Sequence, residues 1–350
     1  MSTVGTVKTT PSARDLIACD VPFIDLRAPA EFARGALPDA VNLPLLTDLE
    51  RAEVGIAYKN HGQEAAIEAG HRLVADTERE RRTAMWLAHA NTHPGCWLYC
   101  WRGGLRSEIA QSWLAEAGLE VTRVTGGYKA LREACTDVLA NAPKTKRWLV
   151  LAGRTGSGKT KLLRKIDTAI DLEGLANHRG SAFGARSGPQ PTPINFENSL
   201  AVAFLRHPHR VLVLEDESRT IGRLALPRAW HDHMQKAPLA VLDVTMEERV
   251  ENILGEYVLE PLAHGLSGGA LQTRYQDALN RIERRLGGLR HREVYRELEH
   301  GFATGEHERW IERLLSWYYD PMYDYQLGKK LKRVVARGDT RTIRKLITSF

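Results

Sequence analysis

Two short stretches carry residues whose types and spacing could do chemistry. The first is Cys100-Trp101-Arg102-Gly103-Gly104-Leu105-Arg106-Ser107. An apolar run, Cys96 to Tyr99, leads into it after Pro94-Gly95 and predicts a buried strand. Ile109, Ala110, Trp113, Leu114 and Ala117 recur behind it at helical spacing from Ser107 onward, with Ser107 as the expected N-cap. A cysteine therefore ends a strand and faces a glycine-bearing loop and a helix start. Gly103 and Gly104 free the backbone to turn, and loop amides at a helix N-terminus form an anion-binding nest. A thiol there is expected to ionise readily and act as a nucleophile, with Arg102 and Arg106 as donors for an oxyanion. A lone cysteine before a Gly-Gly turn is ordinarily structural. The Cys-x5-Arg-Ser spacing at a strand-to-helix junction favours the reactive reading.

The second stretch is Gly153-Arg154-Thr155-Gly156-Ser157-Gly158-Lys159-Thr160. It follows the apolar Trp148-Leu149-Val150-Leu151 and precedes a predicted helix bearing Leu162, Leu163 and Ile166, so every position of the P-loop pattern is filled in its strand-loop-helix context. Its amides can cradle a diphosphate, Lys159 neutralises charge, and Thr160 can reach a Mg²⁺ ion. Arg210 to Leu214 is an apolar strand ending in Glu215-Asp216-Glu217. Asp216 is the first choice as metal partner, with Glu215 and Glu217 beside it; a solvated acidic turn is the alternative. His178 and Arg179, with Arg219 behind the acidic run, are candidates for holding an anionic substrate, although loops of this composition are often plain surface.

The chain has 350 residues, which suggests two domains. Short strands at 23–26, 40–44, 96–99 and 121–124 alternate with helical patterns and predict an α/β fold with parallel strands. Residues 10–138 form the first domain, 139–147 a polar, proline-bearing linker, and 148–350 a P-loop α/β domain with a helical, basic C-terminal region. No apolar run reaches membrane-spanning length. The polar stretch Met1 to Arg14 lacks the apolar core of a secretory signal, and four scattered cysteines (Cys19, Cys96, Cys100, Cys135) do not make a disulfide framework. A reducing cytoplasm is expected, and Cys96 reads as core.

The formal charge is +6, and its location is local. Lys329, Lys330, Lys332, Arg333, Arg337, Arg341, Arg344 and Lys345 stand against the single acid Asp339 in the C-terminal stretch. Such a cluster suits a phosphate backbone, although a solvated helix face has the same composition. Four tyrosines between Tyr318 and Tyr325 could stack on unpaired bases or fill a helix-end core.

Asp25-Leu26-Arg27, Glu31-Phe32, the Ala40 to Pro44 strand, the Cys100 loop and Thr125-Gly126-Gly127-Tyr128 together resemble a rhodanese domain. Ala36 and Asp39 depart from it, standing where rhodaneses often carry His and Gly. The Cys100 loop is one residue longer than the usual rhodanese loop and is similar to that of cell-cycle dual-specificity phosphatases, so a tetrahedral oxyanion fits better than plain thiosulfate chemistry. With the P-loop and Glu215-Asp216-Glu217-Ser218-Arg219 downstream, nearly the whole chain resembles the tRNA 2-selenouridine synthase family. That resemblance implies a cytoplasmic enzyme that replaces the sulfur of 2-thiouridine at the tRNA wobble position by selenium. It also implies an S-geranyl intermediate, geranyl diphosphate and selenophosphate as co-substrates, a selenophosphate supply enzyme as possible partner, and no membrane. Two other classes fit the motifs: an ATP-dependent tRNA sulfurtransferase delivering persulfide from Cys100, and a phosphatase-like domain joined to a regulatory nucleotide-binding module.

Overall fold

The computed structural model describes residues 11–186 and 188–350; the expected domain start at residue 10, and most of the Met1 to Arg14 stretch, lie outside them. Two compact units emerge, 11–140 with Thr192–His207, and Asn141–Pro191 with Pro208–Phe350.

In the first unit, strands β1 (Phe23–Asp25), β2 (Ala40–Asn42), β3 (Trp97–Tyr99) and β4 (Thr122–Arg123) form a sheet in the order β2-β1-β3-β4, every pair parallel. Helix Asp48–Leu73 is broken at Gly62, where φ is +86°, and Asp76–Thr92 follows it. The core gathers Ile24, Leu26, Trp86, Leu98, Trp113 and Leu114, with both Cys96 and Cys100 in it. A purely parallel sheet needs both faces covered, and its central strands β1 and β3 are largely buried. Helix Gly127–Asn141 runs into a tight turn at Ala142–Lys144, and Arg147 already opens the next sheet. The polar stretch between the sheets is therefore mostly regular structure.

Helix Pro193–Arg206 belongs to this first unit although it lies beyond the P-loop in sequence. Asn195 Oδ1 accepts the Ala36 N–H at 2.7 Å, and Asn198 Nδ2 donates to the Ala36 carbonyl at 2.8 Å. Arg206 pairs with Asp39 at 2.6 Å and Asp20 at 2.7 Å. Ala36 and Asp39, the two departures from the rhodanese pattern, are thus contact points for a helix supplied from later in the chain.

In the second unit β5 (Arg147–Ala152), β6 (Val211–Glu215), β9 (Leu239–Leu242) and β10 (Val334–Gly338) form a parallel sheet in the order β10-β9-β5-β6. A small hairpin, β7 (Thr220–Ile221) with β8 (Leu224–Ala225), follows the acidic run. β5 is buried from Trp148 to Ala152, as expected of an interior strand. The helices between Met246 and Gly328 have their own core around Tyr257, Tyr275, Leu279, Trp310 and Tyr319. The basic C-terminal stretch is not helical throughout: β10 pairs with β9, and only then does helix Thr340–Ser349 bury Ile343 and Ile347. Among the described residues no helix is long and apolar enough to cross a membrane.

Candidate functional sites

In the first unit Cys100 directly follows β3, as predicted, and is 4% exposed. Its carbonyl accepts the Tyr128 N–H at 2.9 Å, and the Trp101 carbonyl accepts that of Lys129 at 3.0 Å. The Cys100 loop is thereby laced to the Gly126-Gly127 turn. Glycine is required on both sides: Gly103 has φ +68°, and a Cβ there would sit 2.5 Å from the Val124 carbonyl oxygen. Gly127 has φ +59°, and its Cβ would strike the backbone of Gly103 and Cys100.

Ser107 is not the N-cap. Helix Leu105–Glu116 begins one turn earlier with Gly104 as its cap, so Ser107 lies within the first turn. It is fully buried, and its hydroxyl lies 3.0 Å from Cys100 Sγ and 3.0 Å from the Gly104 carbonyl. The serine hydroxyl is thereby placed as a hydrogen-bond donor to the Cys100 sulfur. Arg106 binds Glu31 at 2.7 and 3.3 Å, and Arg51 approaches the same carboxylate at 3.1 Å. Burial pushes the Glu31 carboxyl up, but the hydrogen bond and charge of Arg106, the Ala28 N–H and Arg51 together hold it below its ordinary value. Arg102 and the rings of Trp101 and Leu105's side chain are exposed at the loop mouth. Cys96 is core, and burial pushes its thiol up. The sequence reading missed Glu31 as the Arg106 partner and Arg123, whose Nη1 donates to the Gly103 carbonyl at 3.2 Å.

In the second unit the loop Gly153 to Thr160 joins β5 to a helix that lasts only from Lys159 to Leu163. Ile166 falls beyond it, partly buried against the sheet. Gly156 and Gly158 adopt φ of +82° and +79°. Lys159 Nζ folds back onto the Gly153 carbonyl at 2.6 Å, and Ser157 Oγ is buried with no hydrogen-bond partner among the described residues. Arg249 buttresses the loop: Nε donates to the Thr155 carbonyl at 2.9 Å while its other nitrogens hold Asp320 at 2.9 and 2.5 Å. Arg154 points outward to Asp324 at 2.8 Å. The loop opens on a cavity of about 870 Å³ whose other walls include Tyr257, Tyr318, Tyr319, Met322 and Tyr323. The same cavity is also lined by Asp216, Glu217 and Lys330, so aromatic rings and charged groups share its walls.

Asp216, the first choice for the metal, instead accepts Lys330 Nζ at 2.8 and 2.7 Å. Glu215 is fully buried and accepts the Leu172 N–H at 3.1 Å; burial, with the charges of Asp171 and Glu173, pushes its carboxyl up. The carboxylates beside the loop are Glu217 and Glu173, the latter absent from the sequence reading. Thr160 donates to Glu173 at 3.2 Å, and the Gly180 N–H donates to the same carboxylate at 2.7 Å. Burial and the charge of Glu173 push Glu217 up to about 8 against the opposing pull of Lys159. Among the described residues no three His, Cys, Asp or Glu side chains converge as a cage. Mg²⁺ bound to a phosphate needs only one or two carboxylates and a hydroxyl, and a repelling carboxyl pair beside Thr160 fits that hard cation.

His178 has a buried Nδ1 without a partner, and burial lowers its pKa. Arg179 is spent on the Glu256 carbonyl at 2.7 Å and Glu260 at 2.9 Å. Arg219 is exposed on the cavity rim. The tail residues divide. Arg333 donates to the Ala237 and Met234 carbonyls at 2.8 and 2.6 Å and ties β10 down, and Lys330 holds Asp216. Lys329 lies 3.9 Å over the Tyr325 ring, and Arg337 pairs with Asp243 at 2.8 Å. Lys329, Lys332, Arg337 and Arg341 are exposed. Tyr318 and Tyr319 fill the helical core, and only Tyr325 of the four tyrosines is largely exposed.

The first unit thus carries a Cys-x5-Arg loop on one parallel sheet, and the second a P-loop on another. Comparison with known proteins agrees. A family described as "Rhodanese-like domain" matches residues 9–134, and one described as "tRNA 2-selenouridine synthase AAA domain" matches residues 146–350. A protein named tRNA 2-selenouridine synthase from Shewanella loihica is 45% identical over 96% of this chain and 95% of its own length. One from Hahella chejuensis is 47% identical over 98% and 95%, and one from Cupriavidus pinatubonensis 47% identical over 94% and 95%. The chain belongs to the tRNA 2-selenouridine synthase family.

Proposed function

We propose that this protein replaces the sulfur of 2-thiouridine at the tRNA wobble position by selenium, by way of an S-geranyl intermediate. The observation that supports the reading most directly is the presence, in one chain of this family, of a P-loop cavity lined in part by aromatic rings and a Cys-x5-Arg loop with a hydroxyl on its sulfur. In the first step the thiouridine sulfur attacks C1 of geranyl diphosphate. A C–S bond forms, the C–O bond breaks, the pyrimidine gives up its N3 proton and diphosphate leaves. The charge gathering on that diphosphate falls to Lys159 and the loop amides, stabilisation of the kind that typically contributes about 3–4 kcal/mol per donor. Thr160, Glu173 and Glu217 would hold a Mg²⁺ ion, which supplies further charge neutralisation when bound. In the second step selenium replaces the S-geranyl group at C2 and geranyl thiol departs. The selenophosphate selenium attacks C2 as the C–S bond breaks, and water then cleaves the Se–P bond to release phosphate; Cys100 directs the selenophosphate, Arg106 binding its tetrahedral phosphate and Ser107 orienting the sulfur.

A cytoplasmic setting and a selenophosphate-making enzyme as supplier accompany this reading. The test is mass spectrometry of nucleosides from 2-thiouridine tRNA incubated first with geranyl diphosphate and then with selenophosphate. The expected sequence is geranylated 2-thiouridine, then 2-selenouridine. Unchanged tRNA with ATP hydrolysed instead would transfer the assignment to an ATP-dependent sulfurtransferase using a Cys100 persulfide.

A further inference from the structure

The second unit contains another cavity, of about 490 Å³, that shares Thr160, Glu173, Arg179 and Glu256 with the P-loop cavity. Its walls carry the cations Lys161, Arg164, Arg179, Arg186 and Arg274. Three of these have local partners. Arg164 binds Asp171 at 2.9 Å, Arg179 binds Glu260 at 2.9 Å, and Lys161 binds Asn252 at 2.7 Å with Glu256 at 3.7 Å.

Two guanidiniums remain. Arg186 comes no closer than 4.0 Å to Glu173, a carboxylate already taken by Thr160 and the Gly180 N–H. Arg186 Nε is buried with no hydrogen-bond partner among the described residues. Arg274 forms no ion pair among the described residues. A buried guanidinium donor left unmade is costly, and the planar fork of Arg matches phosphate oxygens two at a time. Carboxylates line the same cavity, but each already serves another group.

We propose that this cavity is a second phosphate site, separate from the diphosphate cradle, in which Arg186 and Arg274 grip a phosphate group. That group belongs either to a small free phosphate anion or to the backbone of the bound RNA. The two gripping arginines lie outside the P-loop and the Cys100 loop, and although the cavity shares Thr160 and Glu173 with the diphosphate site, Lys159→Met separates the two sites in the test below.

The test is anomalous diffraction from crystals of the full chain soaked in tungstate, paired with salt-dependent tRNA binding. Wild type is expected to show tungstate at Arg186 and Arg274, and the double variant Arg186→Gln/Arg274→Gln to lose it while Lys159→Met keeps it. If the variant's tRNA affinity then falls less steeply with salt, by about one phosphate's contribution to the slope, the RNA backbone is the occupant. If the slope is unchanged, the occupant is a free phosphate anion. No tungstate in the wild-type cavity, or tungstate that persists in the double variant, overturns the proposal. Should the Gln pair fail to fold, Arg186→Lys/Arg274→Lys keeps both charges and removes the fork, and loss of the tungstate peak is again expected.

Discussion

Glu217 gives the P-loop unit a pH dependence that can be worked out in advance. It is 8% exposed and lies beside Glu173, and its carboxyl is raised from 4.5 to about 8 by burial first and the Glu173 charge second. A carboxyl raised in the folded state keeps its proton there while the unfolded chain ionises. Stability is therefore intact below pH 4.5, falls as pH rises toward 8, and stays low above it. At about 1.4 kcal/mol per pH unit the interval sets a ceiling of about 5 kcal/mol. Replacing Glu217 with Gln removes the ionisation and keeps the shape. Thermal melts of wild type and Glu217→Gln in Mg²⁺-free buffer at pH 5 and pH 8.5 read the effect, at about 2–4 °C per kcal/mol for a unit of this size. The variant should be near wild type or slightly less stable at pH 5 and clearly more stable at pH 8.5. Parallel curves, with the variant less stable at both values, would refute the claim that Glu217 is held protonated.

Other consequences follow from the contacts described. Removing charge at Lys329, Lys332, Arg337 and Arg341 should weaken tRNA binding and cut its salt slope by up to about three, measured by filter binding; an unchanged slope would make this face bystander surface. Glu31→Ala strips Arg106, Arg51 and the Ala28 N–H of their acceptor. It should cost about 1–3 kcal/mol in stability and slow selenation of pre-geranylated tRNA, leaving geranylation near wild type; loss confined to geranylation would contradict this. Gly156→Ala places a Cβ 2.7 Å from the Arg249 carbonyl oxygen at a φ of +82°. Geranyl transfer should fall at least tenfold in a protein whose Cys100 still reacts with iodoacetamide at the wild-type rate; undiminished transfer would show that the loop is not held as described.

Both loops were legible in the sequence because a strand ending in glycines before a helical pattern is a local signal. What escaped was tertiary. Glu31 and Glu173 look like ordinary helix and turn acids, and only folding sets one against Arg106 and the other against Thr160. Asp216 is the most obvious carboxylate after β6, yet Lys330, 114 residues away, occupies it. Ser107 has the residue type of a cap, but the helix starts at Leu105 and turns its hydroxyl toward sulfur. Val334 to Gly338 lies in a run of lysines and arginines whose charge hides its Val334-Val335 pair, and it becomes a strand because β9 offers an edge. Helix Pro193–Arg206 has a plain amphipathic pattern, and nothing in that pattern says which sheet's unit it joins.

The central claim is a division of labour between the two loops, and paired variants test it most directly. Cys100→Ala and Lys159→Met are each incubated with 2-thiouridine tRNA, geranyl diphosphate and selenophosphate, and the nucleosides are weighed. Cys100→Ala should accumulate geranylated 2-thiouridine with no 2-selenouridine. Lys159→Met should leave 2-thiouridine largely unchanged, its geranyl transfer lowered by about a hundredfold or more, yet convert tRNA supplied already geranylated. Loss of both steps in either folded variant, or the two phenotypes exchanged, would contradict the account.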